Sequence, residues 1–265
     1  MILPSLHGSF NQEGFFIYTA CDYVYFKEFG STIINSIKKN SQLGIHVHLY
    51  NPTDDQIKYC QSSEKVSVTY EYVPLDLFSV AAAKWDIVPT DEFEKSYYDR
   101  TLNAMGKSND QTIQERIQKT YYACARFIRL AEFFPNISKV LAIDSDAIVR
   151  SNIPELPPAH DLYIHRIIGK KARFLAGGIY LNNSNNSKKF LDDYAGCLKN
   201  YIDRDYLYWG IDQDVLEYVV PSYKYGNLPL QYIDWEMKPN SYIWTAKGKR
   251  KELQIFIDEQ KKYIS

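Results

Sequence analysis

The sequence predicts an α/β fold: one domain with a Rossmann-like, mixed but mostly parallel sheet covered by helices on both faces. Three observations predict it. From Phe15 to Val73, β-branched and aromatic runs alternate with segments of helical period, and strands that alternate with helices are joined by right-handed crossovers and so lie parallel. The run Val140 to Ile143 is wholly apolar and too short for a helix, as a strand covered on both faces is. Two carboxylates, Asp144 and Asp146, follow it at once, at the strand end where open α/β sheets bind ligands.

Taken in order, Phe15 to Ala20 reads as the first strand and is followed directly by Asp22. Phe26, Phe29, Ile33, Ile34 and Ile37 then recur at helical spacing, so a helix is expected to run to Lys39. Gly44 to Tyr50 is the second strand. Its His46 and His48 share one face, but two histidines without a third ligand are expected to be structural. Asn51-Pro52-Thr53-Asp54 opens a short helix to about Gln61, and Lys65 to Val73 is the third strand.

Pro74 to Gln111 has no sustained period and reads as short helices and loop, a candidate lid. Thr112 to Phe134 is strongly helical, with Ile113, Ile117, Tyr121, Ala125 and Ile128 on one stripe, and Pro135 ends it. Strands are expected at Asp161 to Ile167 and Phe174 to Leu181, helices at Asn185 to Tyr201 and after Gly210, and a terminal helix over 252–265. No linker interrupts the chain. Residues 10–150 form its nucleotide-binding half in this reading, and residues 151–251 its second half.

Thirty-one basic and 32 acidic residues leave a net charge of −1, so no global field draws nucleic acid or an anionic membrane. The four cysteines, Cys21, Cys60, Cys124 and Cys197, form no C-x-x-C pair, which argues against a zinc knot or a disulfide framework. No secretory signal and no run of 18 apolar residues is present, and a cytoplasmic protein without a transmembrane segment is the expectation. No G-x-G-x-x-G follows the first strand, which disfavours a nicotinamide or flavin dinucleotide.

Asp144 and Asp146, with no basic neighbour in sequence, fit a divalent-metal site through hard oxygen ligands. They also fit a strand end followed by an Asx-turn. An apolar strand followed by Asp-x-Asp occurs in haloacid-dehalogenase-like phosphatases, but there the motif stands near the start of its domain. In glycosyltransferases of the GT-A fold it comes mid-chain, as here.

Several further motifs agree, and from about Phe15 to Lys251 the chain resembles the family 8 glycosyltransferases, the GT-A group that includes glycogenins and bacterial lipopolysaccharide galactosyltransferases. Ala20, Asp22 and Tyr25 match a motif that contacts the nucleotide's uridine. Arg126, in Ala123-Cys-Ala-Arg126, matches an arginine that reaches the donor. Asp144-Ser145-Asp146 matches the metal and diphosphate motif. Phe174-Leu-Ala-Gly177 resembles the segment whose backbone passes the transferred sugar, with Ala176 and Gly177 in register and Leu175 replacing an Asn. Asp212-Gln213-Asp214 matches the motif facing the anomeric carbon.

The family's last motif places a metal-ligand His three residues before a Gly and a diphosphate-binding Lys three after it. Gly248 and Lys251 fit, but Thr245 stands at the His, and Thr is a poor ligand where imidazole is a good one.

The resemblance implies a retaining hexosyltransferase. It would take manganese or magnesium at Asp144 and Asp146, a nucleotide-sugar donor carrying UDP, and a carbohydrate, glycoprotein or glycolipid acceptor. Asp212 and Gln213 would be the catalytic pair. A sugar-phosphate nucleotidylyltransferase and a non-catalytic carbohydrate-binding protein are the rival readings. The first lacks its Gly-rich signature here, and donor turnover would exclude the second.

Overall fold

The computed structural model describes residues 3–83, 95, 99, 112–167 and 173–264. The candidate lid, beyond the helix Asp76–Ala83, lies almost wholly outside the described residues.

The sheet is built from β1 (His7–Ser9), β2 (Phe15–Asp22), β3 (Gly44–Tyr50), β4 (Val66–Glu71), β5 (Lys139–Ile143), β7 (Leu162–Ile167), β8 (Arg173–Asn182) and β9 (Gly226–Asn227). Its order is β1-β4-β3-β2-β5-β8-β7-β9. β2 lies centrally and is parallel to both β3 and β5, with Ile17 opposite Ile45 on one side and Leu141 on the other. β8 pairs antiparallel to β5, with Ile143 opposite Gly178. One continuous sheet therefore joins the two halves of the chain, and it is mixed, with a parallel centre, as expected.

Strand residues alternate between two cores because side chains alternate across a pleated sheet. Phe16, Tyr18, Val140 and Ala142 pack with the long helix α4 (Ile113–Phe133), α5 (Asn185–Asp203) and α6 (Ile211–Val219). Phe15, Ile17, Leu141 and Ile143 pack on the other face with α1 (Ser31–Asn40) and α2 (Asp54–Gln61). Further helices among the described residues are the single turn Tyr23–Tyr25, α3 (Asp76–Ala83) and α7 (Gln254–Gln260). A separate two-stranded ladder pairs β10 (Ile243–Thr245) antiparallel to β6 (Ala147–Val149). Phe29, Ile148, Trp244 and Phe256 form a third small core that docks this C-terminal layer.

Local chemistry explains the element ends. Thr53 and Thr112 each form a capping box with Gln56 and Glu115, which satisfies otherwise orphaned amides of α2 and α4. Thr53 is thus the cap, and Pro52 precedes the helix. The helix expected from Phe26 begins with a π-turn, Phe26–Gly30, before α1. The terminal helix is shorter than 252–265: a 3-10 segment occupies Gly248–Glu252, and α7 covers only Gln254–Gln260.

His46 and His48 are structural, as expected. His46 sits fully buried between the Ser67 and Thr69 hydroxyls at 2.7 and 2.8 Å, and His48 meets Thr69 at 2.9 Å. All four cysteines are free thiols. Among the described residues no helix is long and apolar enough to cross a membrane.

Candidate functional site

The carboxyl ends of β2 and β5, the middle of β8, one face of α4, the start of α6 and the loop after β10 line a single cleft. Ala20, Asp22, Tyr25, Arg126, Asp144, Ser145, Asp146, Gly177, Asp212, Gln213 and Lys251 all line it. Ala176 lies directly behind, buried, and takes part through its backbone.

Asp22 caps the turn after β2, accepting from the Tyr25 amide at 2.8 Å. That bond fixes the Tyr25 ring at the cleft's edge, where Lys251 donates to its hydroxyl at 3.0 Å and rests 4.3 Å from the ring centroid. Thr19 ties the ends of the two central strands together by donating to the Ile143 carbonyl at 3.0 Å. The Ser145 hydroxyl lies against the Cys21 thiol.

Arg126 stands at the centre. Its guanidinium donates to Asp144 Oδ1 and, at 3.1 Å, to the Ala176 carbonyl, and it lies 3.8 Å from Asp212 Oδ2. The Tyr18 hydroxyl holds the Arg126 backbone at 2.8 Å. Burial opposes the charges at Arg126 and Asp144, but their mutual attraction outweighs it: the Arg126 guanidinium is held more firmly protonated and Asp144 is held below the usual carboxylate range. Asp212 behaves oppositely, since burial pushes its carboxyl up more than Arg126 lowers it.

Asp146 is paired with Lys251, whose Nζ lies 2.9 Å from Oδ2. Burial, aided by nearby Asp144, raises the Asp146 carboxyl despite Lys251. Burial also opposes the Lys251 charge, but Asp146 and Tyr25 win, and the ammonium is held above its ordinary range.

Gly177 is needed for a close approach, and the group that approaches is Asp144. A Cβ at position 177 would land on Asp144 Oδ2, with Cγ only 3.1 Å away. Gln213 does not point freely into the cleft. With its amide nitrogen toward the Phe174 carbonyl (2.7 Å) and its oxygen toward the Ala176 N–H (2.8 Å), the orientation that matches donor to acceptor, it clamps the backbone of β8. Gly210, at φ +88°, turns the chain into α6 and places Asp212 and Gln213 in its first turn.

The two aspartates have no basic neighbour in sequence, but the tertiary structure brings Arg126 from α4 and Lys251 from the C-terminal loop directly onto them. Thr245 does arrive beside the motif: it pairs with Ala147, and the next amide, Ala246 N–H, donates to the Asp146 carbonyl at 2.9 Å. Its hydroxyl, however, reaches the Ile233 carbonyl at 3.4 Å. Among the described residues no three His, Cys, Asp or Glu side chains are grouped to hold a metal ion. Two carboxylates already matched by protein cations do not fit a resident divalent ion, whose retention depends on ligand charge and number.

Sequence reasoning missed part of the cleft. Arg116 and Lys119 line it, and with Ala123 and Arg126 they recur at helical spacing along one stripe of α4, which was the available signal. Arg116 packs 4.3 Å from the half-exposed Trp209 ring. Lys119 is held below its ordinary range by burial and by Arg116 beside it. Arg173 from β8 lines it too, and so does Lys247, the first of the basic cluster Lys247, Lys249, Arg250 and Lys251 that the sequence itself offers for a diphosphate.

No protein-family model matches the sequence, and no curated protein does. Solved structures do match. The glycosyltransferase GlyE of Streptococcus pneumoniae TIGR4, in its apo form, is 15% identical over 94% of this chain and 60% of its own, with TM-score 0.54. The apo structure of the WbbM bifunctional glycosyltransferase is 15% identical over 96% of this chain and 50% of its own, TM-score 0.53. The galactosyltransferase LgtC, in complex with donor and acceptor sugar analogues, is 11% identical over 94% of this chain and 96% of its own, TM-score 0.50. The chain thus spans half of WbbM and 60% of GlyE. These likenesses establish the fold, which is GT-A, as the sequence motifs led one to expect.

Proposed function

We propose that the protein is a glycosyltransferase that moves a sugar from a nucleoside-diphosphate donor to a hydroxyl of a carbohydrate, glycoprotein or glycolipid acceptor. The observation that carries this is the convergence, in one cleft of a GT-A fold, of Asp144-Ser145-Asp146, Asp212, Arg126 and Lys251 from four separate parts of the chain. UDP as the nucleotide and retention of anomeric configuration come from the family resemblance. The manganese or magnesium that the resemblance adds at Asp144 and Asp146 finds no complete ligand set among the described residues.

The resemblance gives each residue a part that its position in the cleft supports. The base and ribose lie along Ala20 to Tyr25. The diphosphate faces Lys251 and Lys247, and the sugar lies against the Ala176–Gly177 backbone. In the reaction the bond from the anomeric carbon to the β-phosphate oxygen breaks, and its electron pair leaves with the diphosphate. The anomeric carbon bonds to the acceptor oxygen, whose proton passes to the departing diphosphate. Fixed cations at the leaving group stabilise the charge that builds there without reorganising. Asp212, held by Arg126 and by its place at the start of α6, faces the developing oxocarbenium ion. Gln213 acts one step back, as a positioning residue, by fixing the strand on which the sugar rests.

Incubation with a panel of UDP-sugars, reading UDP release, tests this. UDP appears with one sugar if the proposal holds. Release of UTP from a UDP-sugar and pyrophosphate would make the protein a nucleotidylyltransferase. Oligosaccharide binding without turnover of any nucleotide sugar would make it a binding module.

A further inference from the structure

We propose that the donor's diphosphate is neutralised by the protein's own side chains, Lys247 and Lys251 backed by Arg126, and that the transfer requires no divalent metal ion. This rests on the glycosyl-transfer reading and specifies how its leaving group is stabilised.

Four observations carry it. First, the two carboxylates that would bind an ion are engaged: Asp144 with Arg126, and Asp146 with Lys251 at 2.9 Å. An ion arriving with the diphosphate would meet a guanidinium and an ammonium already on its two ligands, and their charges repel it. Second, the position from which a third ligand would come carries Thr245. It is nearly buried, its hydroxyl is turned to the Ile233 carbonyl at 3.4 Å, and no group of three metal-binding side chains occurs among the described residues.

Third, the chain that should supply that ligand supplies cations instead. β10 runs antiparallel to β6 with Thr245 against Ala147, and two and six residues later Lys247 and Lys251 both line the cleft. The turn at Gly248, at φ +64°, lets the 3-10 segment bring them to the same wall. Fourth, the described lining is cationic in balance. Arg116, Lys119, Arg126, Arg173, Lys247 and Lys251 stand against five aspartates, where a site built to retain a divalent ion carries an acidic surplus. Lys119 has no carboxylate within ion-pair distance among the described residues and lies 5.9 Å from the Tyr25 ring on which Lys251 also rests.

On donor binding, Lys251 keeps Asp146 and Tyr25 and turns the third N–H of its ammonium to the phosphate oxygens, while Lys247 approaches from the other side of the Gly248 turn. Lysine suits this sharing, as a compact charge with three donors on a flexible stem. Arg126 stays fixed on Asp144 and the Ala176 carbonyl.

The test is isothermal titration of the full chain, stripped of metal, with UDP, GDP, CDP and ADP, each in EDTA and again in manganese chloride, alongside donor turnover under both conditions. The expected result is that one nucleoside diphosphate binds with affinities that agree within about twofold and that turnover persists in EDTA. In the same buffer Lys247→Ala and Lys251→Ala should each weaken that binding by about tenfold or more, the loss expected of a charge-assisted contact. A second variant set, Lys247→Arg and Lys251→Arg, keeps the charge and should restore most of the affinity. If manganese raises affinity tenfold or more, or EDTA abolishes turnover that manganese restores, the metal-free inference is overturned while the glycosyltransferase reading stands. Failure of every nucleoside diphosphate to bind in either condition overturns that reading itself, and this inference with it.

Discussion

Gly177 and Asp144 share one space: the carboxylate of Asp144 occupies the volume that any side chain at position 177 would need, and the Asp144 amide in turn donates to the Gly177 carbonyl at 3.4 Å. The end of β5 and the middle of β8 are thereby locked face to face, with the Asp144 carboxylate directed at Arg126. Gly177→Ala should fold, because Asp144 can rotate away, but it should lower kcat/KM by about a hundredfold, the scale on which small misplacements in active sites act. Wild-type kinetics in that variant would show that the Asp144 orientation is incidental.

Lys251→Ala should weaken UDP by about 1.5–3 kcal/mol and uridine hardly at all, since an ammonium contacts phosphate and not base. Titration with both ligands checks this. Equal losses for the two would move Lys251 to the nucleoside end of the cleft.

Asp212→Asn and Gln213→Ala should separate two roles in the first turn of α6. Asp212→Asn keeps the shape and removes the charge near the anomeric carbon, so kcat should fall with little change in donor affinity. Gln213→Ala also removes the clamp on Phe174 and Ala176. It should lower kcat and in addition lower stability by about 1–3 kcal/mol, the cost of leaving buried backbone groups unpaired. Urea unfolding of both variants distinguishes them, and equal stability would refute the clamp.

Outside the cleft lining, one turn along α4 from Arg126, Arg129 holds Glu71 at the end of β4. Its Nε lies 2.7 Å from the fully buried Glu71 carboxylate, and a second guanidinium nitrogen donates to the same oxygen. Burial raises the Glu71 carboxyl although Arg129 opposes it. Arg129→Met should destabilise the fold by about 3–5 kcal/mol, because an uncompensated acid is left in the core. The double variant Arg129→Met, Glu71→Met should recover much of that loss. A double variant no more stable than the single one would assign the effect to packing.

Stability should also fall on mild acidification. Burial pushes His46 down to about 3 from 6.5, and it pushes His48 down as well. The unfolded chain therefore binds protons below about pH 6.5 that the folded chain refuses. Each histidine can cost up to about 1.4 kcal/mol per pH unit as pH falls toward the folded value. Urea midpoints at about pH 7 and about pH 5 should differ accordingly, and His46→Asn should flatten the dependence. Identical slopes in variant and wild type would mean that His46 is protonated in the fold.

The sequence by itself determined the layers of this protein and the places where its chemistry stands. Alternation in Phe15 to Asp22 and Lys139 to Ile143 assigns each side chain to one of two cores, since the period of a strand is local and survives in the sequence. The stripe on α4 and the Asp144-Ser145-Asp146 motif were legible for the same reason. What only the tertiary structure decided is which charges meet. Arg126 reaches Asp144 and Asp212, and Lys251 reaches Asp146, because α4 crosses the sheet and the β10–β6 ladder folds the C-terminal loop back onto β5. No spacing along the chain encodes those encounters. The Gly177 space filled by Asp144 and the Gln213 clamp on β8 are likewise contacts between strands and helices distant in sequence. The ion pairing of the two aspartates, and with it the poor fit for a resident metal, followed from that packing and not from the residues' order.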